Sequence, residues 1–257
     1  MALRAAGARV LGYDADPSAR DTALSVKAVD EALDRLDLID GSVDLVVVAL
    51  PAVQAPDAIA RVAPLLPEHT ILMDLAPIML PSVAAASAAG VLRRFVPAHA
   101  VPPMPDAAPG AEGFRGASVL IGSSIDPGSP GATVADLWSS IGAVPAPVAP
   151  TLHDALFALT HDLPILSAAA LVRTLRRTGS LTRLLAPASR AVLDDATRAA
   201  ASASSAETLA INAPKLVPAL ELLEREVRRL RHALAEGGPE LGHLLDEARQ
   251  FRQELVR

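Results

Sequence analysis

The chain has no cysteine, which excludes disulfide bonds and thiolate metal sites. Aromatic residues make up only 2% of its 257 positions, whereas hydrophobic residues make up 51%. This composition predicts a helix-rich protein whose core is packed from small and branched aliphatic side chains. The length is sufficient for one large or two modest domains.

Basic runs are also missing, and the formal net charge is -6, which argues against nucleic acid as the main partner. We find no apolar run as long as a bilayer span and therefore expect no membrane partner. The start, MALRAAGARV, lacks the long apolar core and cleavage site of a signal peptide, so a cytoplasmic location is expected. The histidines lack tight ligand spacing, and no metal site is predicted.

The first half of the chain alternates apolar strands with helices. Strands are predicted at residues 8–14, 43–50, 70–76, 93–100 and 117–124. The wholly apolar VDLVVVAL is typical of a parallel sheet that is covered on both faces. We also expect a helix over Glu31–Ile39 and a proline-rich link over Val144–Pro150. The pattern predicts an α/β doubly wound, Rossmann-like domain over residues 1–148.

The beginning of this domain is unusual. Residues 1–7 have the pattern of the last turns of a helix ending at Gly7, and the next strand ends in Asp14. An acid at the end of the second strand of a dinucleotide-binding fold hydrogen-bonds the adenosine ribose, although a turn-forming aspartate fits equally well. The first strand and the G-x-G-x-x-G turn that should precede this helix are absent from the sequence. Either the true start lies upstream of Met1, or the protein has lost the ability to bind the pyrophosphate of a dinucleotide.

The segment Thr151–Leu171 predicts a helix that begins the second domain. Its apolar positions recur at three- and four-residue steps and predict a buried stripe, consisting of Leu152, Leu156, Leu159 and Leu163. Thr151 is expected to cap the helix, and Asp154 is expected to reach back to it as in a capping box.

Two histidines on the same helix suggest a site. His153 and His161 lie eight residues apart, a little over two turns, so both can face one cleft together with Phe157. Pro164 follows closely and predicts a bend, since proline removes a backbone hydrogen bond from a helix.

The end of the chain predicts long helices with an apolar seam. Leucines and one valine repeat at alternating steps of four and three, at Leu216, Leu220, Leu223, Val227, Leu230 and Leu234. The pattern stops at Gly237–Pro239 and resumes at Leu241, Leu244, Ala248, Phe251 and Leu255. We interpret residues 149–257 as an all-α domain whose seam packs in the core or in a dimer.

Two further residues are candidates for chemistry. His99 ends a strand, where open α/β sheets bind ligands, although a lone histidine is more often structural. Arg198 can pair with a carboxylate through both guanidinium nitrogens, and a surface arginine is an equally good interpretation. A Ser-His-Asp hydrolase is not favoured, because no G-x-S-x-G elbow is present.

In this order, the motifs resemble the prephenate/arogenate dehydrogenase family over nearly the whole chain. The matching segments are LRAAGARVLGYDADP, VDLVVVALP, FVPAHA, LWSSIGA, LHDALFALTHDLPILSAAAL and TRAAAS. The most specific match is LHDALFALTHDLP, which is similar to the family's H-D-x-x-x-A-x-x-S-H-L-P-H.

The resemblance implies an NAD(P)-dependent enzyme of tyrosine biosynthesis that acts on a small carboxylate substrate as a homodimer formed through the helical domain. In that family, hydride leaves the hydroxyl-bearing ring carbon for NAD(P), a histidine polarises or deprotonates the hydroxyl, and decarboxylation aromatises the ring. The implied catalytic residues are His99 and His161, and the implied substrate-binding residues are Arg198 and His153. The implied cofactor-binding residues are Asp14, Leu50, Pro51 and Asp74. Asp14 favours NAD over NADP, because a carboxylate repels a 2′-phosphate.

The sequence departs from the family pattern inside its motifs as well as at the start. Pro77 replaces a serine that hydrogen-bonds the catalytic histidine and the substrate hydroxyl, and HAVPPMPDA (99–107) replaces H-P-M-A-G-x-E. Thr160 and Asp162 alter the S-H-L triplet. The alternative is therefore a non-catalytic homologue that dimerises and binds a small acid. The motifs do not distinguish prephenate from arogenate.

Overall fold

The computed structural model describes residues 1–101, 110, 112–177, 187–201 and 205–255. They divide into two compact units. The N-terminal unit comprises Met1–Phe157 and Ser204–Asn212, and the C-terminal unit comprises Ala158–Ala203 and Ala213–Arg257. The short second piece of the N-terminal unit means that the chain returns to this unit before it forms its last helices.

Helices and strands alternate through the first half of the chain. In order these elements are α1 (Ala2–Ala5), β1 (Leu11–Tyr13), α2 (Pro17–Ser25), β2 (Glu31–Leu33), β3 (Leu45–Val48), α3 (Ala55–Val62), β4 (Ile71–Asp74), α4 (Met79–Ala88), β5 (Phe95–Val101), β6 (Ser118–Ile121), α5 (Pro130–Ser140), β7 (Val144–Pro147) and α6 (Pro150–Phe157). Helices follow, namely α7 (Leu163–Arg177), α8 (Pro187–Thr197), α9 (Ala206–Ile211), α10 (Ala213–Glu236) and α11 (Glu240–Leu255). The order confirms the predicted Rossmann-like domain followed by a helical domain.

Within the described residues the strands form two sheets. β1 pairs with β2 in parallel, and the larger sheet has the order β3-β4-β5-β6-β7. Its pairs are parallel except for β5 and β6, which are antiparallel. Among these residues no strand bonds to the second edge of β1 or of β3.

Two local predictions in this domain are wrong. Residues 31–39 form β2 and then a 3-10 turn over Leu36–Leu38 instead of a helix. The expected link over Val144–Pro150 contains β7, which pairs with β6 along its whole length. Both strands lie at the edge of a sheet, where short and irregular sequences are tolerated because one side needs no backbone partner.

The larger sheet is covered on both faces. Leu72 and Phe95 belong to one hydrophobic cluster, which includes residues of α3 and α4. Met73 and Val96, their neighbours along the strands, belong to a second cluster with Val134 and Trp138 of α5. Successive residues of a strand point to opposite faces, so the two clusters lie on opposite sides of the sheet. This explains why its strands are apolar throughout rather than alternating.

The helix predicted from Thr151 is present, but its buried side is not the leucine stripe. Leu152, Leu156 and Leu159 are 54%, 45% and 45% exposed on the single chain. The buried positions are instead His153, Asp154, Ala158, Asp162, Ile165 and Ala168. Periodicity located the helix correctly, but it identified the apolar face as the buried one, whereas the buried face carries polar groups that have partners.

A π-helical turn over Ala158–Asp162 joins α6 to α7. The continuous helix Pro150–Arg177 is long and apolar enough to cross a membrane by length and composition, which corrects the expectation that no run reaches this length. A single helix of this kind is weak evidence for a span, since core helices have the same composition. This one carries the acids Asp154 and Asp162 on its buried side, and acids are costly at the centre of a bilayer.

The helices α10 and α11 contain the predicted seam. Its first residue, Leu216, is 3% exposed, whereas Val227 and Leu234 are 55% and 67% exposed. The break at Gly237 is confirmed: its φ of 68° is the left-handed conformation that glycine adopts readily, and α10 ends at the preceding residue.

Candidate active site

His99 lies on the part of β5 that extends past the end of β4. The pairing of β4 with β5 ends at Asp74 and Pro97, whereas His99 pairs in register with Leu120 of β6. The side chain is half-buried. It therefore stands beyond the carboxyl end of a parallel strand, where open α/β sheets bind their ligands.

His99 forms a hydrogen-bonded pair with His153. The distance between His99 Nδ1 and His153 Nε2 is 3.0 Å, and the ring planes are nearly perpendicular at 84°. Phe157, one turn later on α6, contacts both rings: it stacks on His153 at 14° and meets His99 edge-on at 74°. His99, His153 and Phe157 thus form one cluster within the N-terminal unit, whereas His161, which was expected to share a cleft with His153 and Phe157, belongs to the C-terminal unit.

Asp154 holds the second nitrogen of His153. Its Oδ1 lies 2.9 Å from His153 Nδ1, and the side chains of both residues are at most 2% exposed. The same carboxylate accepts the backbone N–H groups of Met79 and Leu80, each at 2.9 Å. Those groups open helix α4, and the residue before it, Ile78, has no polar side chain to cap it. Asp154 therefore caps a different helix, 75 residues away in sequence.

This arrangement corrects the predicted capping box. Helix α6 begins at Pro150, so Thr151 lies inside the helix and Asp154 does not bond back to it. The first turn of α4 offers an anion partial positive charge in addition to its N–H donors. The buried carboxylate of Asp154 needs hydrogen-bond donors, and the backbone N–H groups that begin α4 need acceptors. The contact between them satisfies both needs.

Two residues that the sequence did not indicate hold these elements together. Gly122 follows β6, and a Cβ atom there would lie 2.7 Å from Pro97, 2.9 Å from Met79 and 3.1 Å from Pro150. Its missing side chain therefore lets β5, α4 and α6 approach closely. Asn212, 2% exposed after α9, donates its amide N–H to the backbone carbonyl of Asp154 at 3.2 Å. A buried asparagine and a glycine carry no local signal of such contacts.

Some of the predicted cofactor residues follow carboxyl ends of parallel strands. Asp14 follows β1, is exposed, and its Oδ1 accepts the N–H of Asp16 in a local turn. Leu50 and Pro51 follow β3 and are also exposed. Leu50 lines an open groove of about 500 Å³ together with Gln54, Asp57 and Arg61 of the α3 region.

Asp74 ends β4 and is only 1% exposed. Its Oδ1 accepts the N–H of Ala76 at 3.2 Å, while its Oδ2 has no hydrogen-bond partner among the described residues. Burial raises the pKa of Asp74, because it disfavours the charged form. The nearby hydroxyl of Ser82, which does not reach hydrogen-bond geometry, and the N–H groups of Ala76 and Leu75 oppose this effect.

His161 and Arg198 belong to the C-terminal unit. His161 lies in the π-helical turn, and its Nδ1 is 2.9 Å from the buried Oδ1 of Asp162. The chain thus repeats one local arrangement, a histidine bonded to the aspartate that follows it, at 153–154 and at 161–162. Arg198 is exposed and pairs with Asp195 at 2.9 Å. Turns of the π type occur often at functional sites, so this position keeps His161 a candidate site residue.

The structure describes only part of the residues that bear on two predictions, the divergent segment 99–107 and the lack of a metal site. Residues 102–107 of the divergent HAVPPMPDA segment lie outside the described residues. In the part of the chain that is described, no three histidine or acidic side chains are grouped so that they could hold a metal ion.

These features define an α/β nucleotide-binding domain that carries a histidine pair at the end of its sheet, followed by a helical domain. Residues 1–144 match the family description "Prephenate dehydrogenase, nucleotide-binding domain", and residues 149–247 match "Prephenate dehydrogenase, dimerization domain". The chain belongs to the prephenate dehydrogenase family.

Solved structures agree at the level of the fold. The prephenate dehydrogenase of Aquifex aeolicus, in complex with hydroxyphenyl propionate and NAD+, is 22% identical with a TM-score of 0.79, over 99% of this chain and 92% of that one. The arogenate dehydrogenase of Synechocystis is 20% identical with a TM-score of 0.78, over 99% of this chain and 94% of that one. A search of curated proteins gives no match.

Proposed function

We propose that this chain is an NAD-dependent dehydrogenase that oxidatively decarboxylates prephenate or arogenate in tyrosine biosynthesis. One observation carries the proposal: His99 stands at the end of the sheet with its Nδ1 bonded to a buried His153–Asp154 pair. A half-buried imidazole with a fixed partner is suited to proton transfer near neutral pH. Membership in a dehydrogenase family supports the reaction type.

In this mechanism His99 takes the proton of the substrate hydroxyl. NAD, when bound, accepts the hydride from the ring carbon that carries this hydroxyl. The carbon–carbon bond to the ring carboxylate breaks, carbon dioxide leaves, and the bonding electrons complete the aromatic ring. The contribution of His99 is to hold a ring nitrogen against the hydroxyl and to receive its proton as the C–O double bond forms.

The residues at the strand ends fit a dinucleotide in their chemistry. The exposed Asp14 offers a carboxylate for the ribose hydroxyls, and Leu50 and Pro51 offer an apolar wall beside the groove at α3. Asp74 Oδ2 is a buried oxygen with no partner among the described residues, and a polar group of the cofactor could bond to it. NAD is preferred to NADP because Asp14 would repel a 2′-phosphate.

The substrate carboxylates are assigned to cationic and histidine side chains of the C-terminal unit. Arg198 provides a guanidinium suited to a carboxylate, and it would exchange its exposed partner Asp195 for the substrate. His161, oriented by Asp162, is the second candidate. For His153, burial and two ring hydrogen bonds favour a role behind His99 over the direct substrate contact implied by the resemblance.

The test is a comparison of His99→Gln and the unaltered chain in assays with prephenate and arogenate, each with NAD and NADP. The proposal expects turnover by the unaltered chain and a loss of about 10²-fold or more in kcat for the variant, the usual contribution of a general base. His69→Gln, an exposed histidine before β4, is the matched control and should keep its activity.

Calorimetric titration with NAD, NADP and prephenate, added to the turnover assay, distinguishes the alternative function. If calorimetry detects saturable binding of neither NAD nor NADP, and neither substrate is turned over, the dehydrogenase proposal is wrong. Binding of prephenate alone would then identify a non-catalytic member of the family that binds a small acid.

A further inference from the structure

We propose that His153 and Asp154 are positioning residues that set the tautomer of His99, leaving the ring lone pair of His99 on Nε2. The two residues act through His99 and touch no substrate. The effect on turnover rests on the proposed function, whereas the tautomer of His99 is a property of the chain alone.

The starting point is the carboxylate of Asp154. Backbone N–H groups can only donate, so both oxygens of Asp154 act as acceptors, Oδ1 toward Met79 and Oδ2 toward Leu80. His153 Nδ1 lies 2.9 Å from Oδ1 and must therefore supply the hydrogen of that bond. Three donors converge on one carboxylate, which has enough lone pairs for all of them.

The tautomer of His153 then determines the tautomer of His99, because the two rings share one hydrogen bond. A neutral His153 that carries its hydrogen on Nδ1 has its lone pair on Nε2. This nitrogen accepts at 3.0 Å, so His99 Nδ1 must be the donor of the bond between the two rings. The neutral His99 ring consequently has its lone pair on Nε2, the nitrogen on the side of the ring away from His153.

The hydrogen-bonded series Asp154–His153–His99, which we call the relay, is kept in one geometry by packing. His153 and Asp154 are 2% and 1% exposed, so water does not compete for their bonds. Phe157 stacks on His153 and meets His99 edge-on, which limits rotation of both rings. When His99 takes up a proton on Nε2, its positive charge lies next to a histidine bonded to a carboxylate, which stabilises that charge.

The direct test is two-bond ¹⁵N–¹H correlation NMR of the intact chain with ¹⁵N-labelled histidine, without substrate or cofactor. Such spectra distinguish protonated from unprotonated ring nitrogens, and His99→Gln and His153→Gln assign the signals. We expect His99 to be protonated on Nδ1 and unprotonated on Nε2. A protonated Nε2 on neutral His99 would overturn the proposal.

The second test uses Asp154→Asn, which offers one oxygen and two N–H donors to a site that presents three donors. We expect His99 to lose its single tautomer and, where the chain is active, kcat to fall about 10²-fold while KM changes little. His69→Gln is the control in both measurements. A His99 tautomer that is unchanged in Asp154→Asn would show that Asp154 does not set it.

The two kinds of failure are separable. A chain without dehydrogenase activity that still shows the expected His99 tautomer would contradict the proposed function and leave the relay intact. An active chain in which Asp154→Asn retains both tautomer and kcat would contradict the relay and leave the proposed function intact.

Discussion

Two carboxylates of the N-terminal unit, both almost fully buried, are in opposite situations. Asp154 receives two backbone N–H groups and a histidine nitrogen, so its charge is balanced by three donors. Asp74 receives one N–H on Oδ1, and its Oδ2 has no partner among the described residues. An unpaired buried carboxylate destabilises the folded chain unless it takes up a proton or a ligand. Asp74 is thus the acid on which pH should act.

We expect Asp74→Asn to remove a pH dependence of stability. Burial raises the pKa of Asp74 in the folded chain above its ordinary value of 3.8. The folded state then holds this proton more tightly than the unfolded state, so the stability contributed by neutral Asp74 is complete below pH 3.8 and is lost as pH rises through the folded pKa. Urea unfolding from pH 3.5 upward should show the variant gaining stability relative to the unaltered chain across this window.

Asp40→Asn is a control of opposite sign. The hydroxyl and backbone N–H of Ser42 lower the pKa of Asp40, so the stability from its charged form is present at neutral pH and lost on acidification. Relative to the unaltered chain, Asp40→Asn should therefore lose stability as pH rises. A flat difference for Asp74→Asn would mean that the carboxyl titrates alike in the folded and unfolded chain.

At the scale of elements, the site depends on three backbones that converge at Gly122. The strand β5 carries His99, α6 carries His153 and Asp154, and α4 supplies the N–H groups that hold Asp154. A Cβ at position 122 would press on the rings of Pro97 and Pro150, which cannot rotate away. Separation of these elements would lengthen the hydrogen bonds between His99, His153 and Asp154.

We expect Gly122→Ala to lower the free energy of unfolding by about 1–3 kcal/mol, the usual cost of overpacking. Gly41→Ala is the matched control, since a Cβ there meets nothing within 4 Å, and its change should stay within about 1 kcal/mol. The measurement is the urea midpoint of each variant and of the unaltered chain, compared at equal slope of the unfolding free energy against urea concentration. A Gly122→Ala chain of unchanged stability would show that β5, α4 and α6 can separate without cost.

Periodicity predicted the elements that are long or wholly apolar, such as β3, and it located the helix after Pro150. It failed at β2 and β7, which have three and four residues and lie at sheet edges. VPAP carries two prolines, which argue against a strand unless one edge needs no N–H donors. Short segments have too few positions for a helical or strand period to be recognised.

Candidate site residues were predictable from the sequence where a local pattern marked their position in a helix or strand. Contacts between residues far apart in the chain were not predictable. His99 was expected near a strand end and lies beyond the carboxyl end of β4, inside the last part of β5. The cleft expected from the eight-residue spacing of His153 and His161 stays a prediction. The partner of Asp154 is a backbone helix start 75 residues away, and nothing in the local sequence LHDALF distinguishes this from a cap of its own helix. Buried polar faces of this kind reverse the usual inference that leucines mark the core.

At the scale of the whole molecule, α10 and α11 leave large apolar side chains exposed on the single chain. Val227 and Leu234 are 55% and 67% exposed on the single chain, within the residues that match the family's dimerization domain. Phe251 and Leu255, which follow the matched residues, are 60% and 69% exposed. Leucine and phenylalanine at coiled-coil spacing gain about 1.5–3 kcal/mol each when they leave water. A second copy of the chain, with the same seam, is the partner that we propose.

We therefore expect the unaltered chain to behave as a homodimer in light scattering, at twice its mass of 26.5 kDa, and Leu234→Glu to shift it toward monomer. Two glutamates brought into one apolar interface would each lose hydration without gaining a partner. Leu24→Glu, on a 41% exposed leucine of α2, is the matched control and should remain dimeric. If Leu234→Glu also remains dimeric, the copies associate through another surface. If the unaltered chain has the mass of one copy, the proposed homodimer is wrong.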